Sequence, residues 1–142
     1  MEDIVVTVLG GKSALRYGLA ALDDAGLARR DIGGWSIADI LGHALRADED
    51  AHRIARSLAL GRAPDSEVRY DQPGEVTTKA ALLTAIGDAE GRAAQARVLA
   101  GGGPKREHRD LGELDARGWL LFIALHDAMH LHQAAAISRA PR

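Results

Sequence analysis

Three breaks in the sequence decide most of what this chain can fold into. Residues 61 to 76 (GRAPDSEVRYDQPGEV) hold Pro64, Pro73 and Gly74, and residues 101 to 115 (GGGPKREHRDLGELD) open on three glycines and Pro104. A shorter break lies at Arg30-Asp31-Ile32-Gly33-Gly34. Clusters of Gly and Pro interrupt helix and strand alike. The breaks leave four segments, each with helical period and none with sustained strand-like alternation.

The first segment, around residues 12 to 28, puts Leu15, Leu19, Leu22 and Ala25 on one stripe. Residues ahead of Gly10-Gly11 either extend it or fray, because paired glycines weaken a helix. The second starts at Ser36, a good N-cap, with Asp39 three residues later near the positive end of the helix. Its apolar face is Ile37, Ile40, Leu41, Ala44, Ala51, Ala55 and Leu58, interrupted by Asp48, and it ends near Gly61. The third begins near Thr77-Thr78, turns Leu82, Ile86, Ala89, Ala93 and Ala96 inward, and stops at Gly101. The fourth runs from about Asp115 to Arg139 and is apolar all round between Trp119 and Leu125. Such a helix is buried on more than one face, so a second copy of the chain is a natural neighbour. The expectation is an all-α, four-helix bundle in a single domain over residues 1–142.

Composition agrees. Apolar residues make up 46% of the chain and aromatics only 4%, so the core must be built of Ala, Leu, Ile and Val, which suits close-packed helices. The formal net charge of −2, without clustered Lys or Arg, argues against a nucleic-acid partner. With no cysteine there is no disulfide framework, no thiolate zinc site and no cysteine nucleophile. No apolar run approaches the roughly 20 residues a membrane span needs, and the acidic start MEDIVVTVLG is unlike a secretory signal. A soluble, cytoplasmic protein is the expectation.

Chemistry in this chain rests on histidine. His126 and His130 are four apart in LHDAMHLHQ, which sets both imidazoles on one helix face where a single ion can bridge them. They share a stripe with Phe122, Ile123, Gln133 and Ile137 and so point into the bundle. By spacing alone, a structural pair bonded to carboxylates or water is slightly favoured. His43, in WSIADILGH, flanks the apolar face of the second helix and can look into a cleft between helices. His52, nearly opposite His43, and His108, in the Gly-rich charged loop, are expected to be solvated; His132 is rotated away from the pair.

WSIADILGH and HDAMHLHQ together resemble the two signatures of the DinB/YfiT-like superfamily of metalloenzymes, a tryptophan-led segment ending in histidine and an H-D-x-x-H-x-x-Q segment in the last core helix. The resemblance covers nearly the whole chain and implies a four-helix bundle with a metal near one end. It puts the ligands on His43, His126 and His130, and Gln133 and Trp35 on family positions with packing roles. It implies one divalent transition metal ion, zinc or nickel foremost, and a homodimer. Members with assigned activity imply a transferase acting with a low-molecular-weight thiol such as bacillithiol or mycothiol on a small-molecule substrate.

Three neutral imidazoles leave metal positions open, the pattern of a reactive site. A bound thiol would be deprotonated and a bound water acidified. The alternatives are a metal-dependent hydrolase and a non-enzymatic, stress-related, metal-binding dimeric bundle. Asp48, Asp50 and Asp127 are candidates to orient a ligating imidazole, although solvation explains each acid better. Arg46 and Arg53 could hold an anionic thiol's carboxylates, or simply face water.

Overall fold

A computed structural model describes residues 2–30, 33–62, 67–75, 77–96, 99 and 102–140. Four long helices pack together: α1 (Glu2–Ala20), α3 (Ile37–Ala59), α4 (Lys79–Gln95) and α5 (Ala116–Arg139), with a one-turn helix α2 (Asp24–Leu27) after α1. The four-helix bundle expected from the sequence is the fold. No helix of the described residues is long and apolar enough to cross a membrane.

The helix starts follow their caps. Ser36 accepts from the Asp39 backbone N–H while the Asp39 carboxylate accepts from that of Ser36, a complete capping box. Thr78 caps α4 and Asp115 caps α5 in the same manner, each accepting from the backbone three residues on. The apolar face of α3 is buried along its whole length, as its period requires.

Two expectations about boundaries need correction. The first helix runs straight through Gly10-Gly11 and ends at Ala20, before residue 28; Asp23 then caps α2 and Ala25 lies exposed. Gly11 is tolerated because it makes room: a Cβ there would stand 3.1 Å from Asp127 Oδ2 on α5. The third helix stops at Gln95, short of residue 101, which lies outside the described residues. The stretch expected to be loop after it holds a short antiparallel hairpin, β1 (Arg106–His108) and β2 (Gly112–Leu114). Three residues a side are too few for an alternation to register, and Gly112 closes the turn at φ 78°.

The core falls into two apolar halves. One gathers Ile4, Val5, Val8, Ile54, Leu58, Trp119 and Leu120; the other gathers Leu15, Leu19, Ile37, Leu41, Leu82, Ile86 and Ile137. Between them lies a polar waist. Lys12, with 0% exposure, bonds Asp48 at 2.7 Å and Asp127 at 2.6 Å, and Asp48 also takes Arg92 at 2.9 Å and His52 at 3.2 Å. One network thus joins all four long helices.

Candidate metal centre

α3 and α5 bring the expected histidines together. The Nε2 atom of His126 lies 3.2 Å from Nε2 of His43 and 3.0 Å from Nε2 of His130. One ring nitrogen from each falls within 4.8 Å of the others, and this is the histidine-and-acid cluster of metal-site geometry among the described residues. On α5 the four-residue spacing does this work; on α3, His43 reaches across the seam from the flank of its helix.

The far side of two rings determines which nitrogen carries hydrogen. His43 Nδ1 donates to the backbone carbonyl of Gln72 at 2.8 Å, and His130 Nδ1 donates to Gln133 Oε1 at 3.0 Å. Both rings therefore present an Nε2 lone pair to the centre. His126 Nδ1 is buried without a hydrogen-bond partner among the described residues. If His126 carries its hydrogen on Nε2, Nδ1 is an orphaned acceptor; if on Nδ1, three lone pairs face one another. Such a donor set is short of positive charge, and one divalent cation meets the deficit. Tetrahedral ligands at about 2.0–2.1 Å from an ion stand roughly 3.3 Å apart, close to the separations seen.

Electrostatics keep the rings neutral. Burial, then the neighbouring His130, His43 and Lys12, pushes His126 down from 6.5 to about 3. Burial lowers His43 against the pull of the Gln72 carbonyl and Asp71, and lowers His130 against that of Gln133. Neutral imidazole is the form that ligates.

In front of the trio lies an open pocket of about 280 Å³. Trp35 is half-buried at its edge, edge-on to His43 at 5.3 Å between ring centres, and packs on the core as well. The 67–75 segment forms another wall. It is drawn onto α3 by Arg69, whose side chain and backbone bond the buried Asp50, and by Gly74, where a Cβ would come within 2.3 Å of the Gly42 backbone. That close approach is what carries the Gln72 carbonyl to His43.

Several expectations about the neighbours are corrected. His52 and His108 are buried, at 4% and 3% exposure, instead of solvated. His52 sits against Asp48, and His108 is enclosed by the rings of Tyr70, Trp119 and Phe122. Asp48, Asp50 and Asp127 are also buried rather than solvated. Their charges are met by Lys12, Arg92, Arg53 and Arg69, and none of the three bonds a histidine of the trio. Burial raises Asp127 to about 6, while His52 and Lys12 hold Asp48 below the usual carboxylate range despite its burial. Gln133 does more than pack, since it fixes the His130 tautomer. Arg46 reaches Gln72, Pro73 and Glu75, and Arg53 pairs with Asp50, so neither lines the pocket. The arginines that do are Arg69 and Arg109, unmarked in the sequence because loops deliver them.

Comparison with known proteins gives this arrangement a lineage. A family model described as "DinB superfamily" matches residues 11–134, which span all three histidines. The chain belongs to the DinB superfamily. Among solved structures, this DinB-superfamily chain resembles one described as "TT2238, a four-helix bundle protein", at 22% identity and a TM-score of 0.73. The match covers 95% of this chain and 98% of the other and speaks for the fold alone. No curated protein matches.

Proposed function

We propose that His43, His126 and His130 hold one divalent transition metal ion, zinc or nickel foremost, and that the chain is a metal-dependent transferase using a low-molecular-weight thiol. The observation that carries this reading is the pair of tautomers set by Gln72 and Gln133, which aim two lone pairs at the point where His126 Nε2 also arrives. When bound, such an ion supplies a Lewis acid that lowers the pKa of a coordinated thiol or water. The chain's part is to hold the imidazoles neutral, to fix two of them by their outer nitrogens, and to flank them with the rings of Trp35 and Phe122. No side-chain thiol exists in the chain, so the sulfur nucleophile comes with the cosubstrate.

A second reading, a hydrolase in which water is the nucleophile, draws support from the pocket's size. About 280 Å³ lies at the small end of ligand sites and suits one small molecule better than two. Cobalt-substituted protein separates the readings. Under the transferase reading, titration with cysteine, bacillithiol or mycothiol produces sulfur-to-cobalt charge-transfer absorption at the loaded site. A spectrum unmoved by any thiol sinks that reading in favour of water chemistry, and protein that takes up no metal sinks both.

The same reading includes a homodimer in a cytoplasmic setting. Leu121, Leu125 and Met129 form an outward row on α5, with Leu125 58% exposed. Self-association there reaches the edge of the site at Met129, which also lines the pocket in front of the histidines. Sedimentation at micromolar concentration is expected to give twice the chain mass, and a monomer would rule the dimer out.

A further inference from the structure

The rim of the pocket carries two guanidinium groups in different states. Arg69 is committed: its Nη2 and Nε bond Asp50, a carboxylate with a fully buried side chain, at 2.7 and 3.2 Å. Arg109, at the hairpin turn, is half-exposed and among the described residues meets only exposed carboxylates, Asp71 at 2.5 Å and Asp110 at 3.4 Å. An exposed pair of this kind contributes little, so another carboxylate can take the place of Asp71 at small cost. The arginine itself stays where it is. Its guanidinium lies 4.6 Å from the centre of the Tyr70 ring, and its backbone N–H donates to the Tyr70 hydroxyl at 3.2 Å.

Behind Arg109, the wall is closed by His108, packed among the rings of Tyr70, Trp119 and Phe122. His108 Nδ1 accepts from the backbone N–H groups of Asp110 and Leu111, at 3.1 and 3.3 Å. The hydrogen of the neutral ring is therefore on Nε2, a buried atom with no partner among the described residues. His108 lines the pocket beside Arg109, and much of the remaining lining is apolar: Trp35, Val68, Phe122 and Met129.

We propose that this pocket takes a small carboxylate-bearing molecule with an apolar body, its carboxylate replacing Asp71 on Arg109 and its other end at the three histidines. This names the substrate class of the site assigned above and rests on that reading. Asp71 pairs with the guanidinium, and bidentate geometry favours a carboxylate there over a neutral amide. The apolar lining selects against sugars and other polyols.

Calorimetric titration with phenylacetate and its neutral isostere phenylacetamide tests the assignment, using metal-loaded wild type, Arg109→Ala and Asp71→Asn. Phenylacetate is expected to bind wild type about tenfold more tightly than the amide. Arg109→Ala should abolish that preference with metal content unchanged, and Asp71→Asn should tighten phenylacetate binding several-fold by removing the competing anion. An acid preference that survives Arg109→Ala would belong to the metal and overturn the proposal. So would equal weakening by both variants, which would make Arg109 a latch between the hairpin and the 67–75 segment. Failure of both probes to bind wild type at concentrations on the order of 10 mM would overturn it too. If the protein holds no metal, the metal reading falls separately, and the acid–amide comparison on the metal-free chain still decides this one.

Discussion

Replacing Lys12 by methionine is expected to lower the stability of the bundle by about 3–5 kcal/mol, the usual cost of removing one partner from a buried charge pair. Lys12 has no exposure and stands between the carboxylates of Asp48 and Asp127. Without it Asp48 keeps Arg92 and His52, but Asp127 loses the one cation that pairs with it among the described residues. Asp127 must then be buried unpaired or take up a proton, which its raised pKa already favours. Urea unfolding of Lys12→Met beside Lys12→Met/Asp127→Asn measures this. The double variant should recover a good part of the loss, because the orphaned charge is gone. A Lys12→Met protein as stable as the wild type would mean that the waist contributes nothing net.

The second large effect concerns the histidines. In wild type, equimolar zinc or nickel is expected to raise the unfolding midpoint, since a ligand that binds only the folded state stabilises it by mass action. In His126→Ala/His130→Ala the metal should neither bind nor shift the midpoint. The metal-free proteins should differ in acid as well. Folding holds the trio below the ordinary 6.5, with His126 at about 3, so the unfolded chain binds more protons on acidification. Wild-type stability is therefore present above about pH 6.5 and is lost as pH falls toward 3. Asp127 works the other way. Raised from 3.8 to about 6, it contributes stability that is full below the lower value and lost as pH rises through the higher. The double variant removes two histidine contributions and leaves that of Asp127, so its stability should fall much less between pH 6.5 and 4. A parallel pH profile for the two proteins would show that these imidazoles are not held neutral by the fold.

The bundle and the trio were legible because each is written in local spacing. Ser36 with Asp39 announces α3, and His126 with His130 needs only a helix to meet. His43 was placed by resemblance and by its flank position, and the fold brings it to within hydrogen-bonding distance of His126. The waist was not legible. Asp48 looks solvent-bound on its own helical wheel because its cations, Lys12 and Arg92, come from α1 and α4. The pocket rim was hidden for a related reason. His108 and Arg109 sit on a hairpin too short to carry a period, although His108-Arg109-Asp110-Leu111-Gly112 is itself a turn signal. Leu22 and Ala25 continue the stripe of α1 on paper, but Asp23 restarts the chain as a separate turn.

The contact between Gln72 and His43 carries a lesson about substitution. The hydrogen on His43 is set by a main-chain oxygen, which every amino acid possesses, so the side chain at position 72 is free to drift as far as the imidazole is concerned. What cannot drift is the route of the chain, and that is written two residues on. At 74 even a methyl group would collide with the backbone at 42. A mutational library across this stretch should thus show a position 72 that loses only its exposed bond to Arg46, two residues before an unyielding position 74. The residue that chooses the tautomer would look dispensable, and a glycine whose own atoms bond no histidine would look essential.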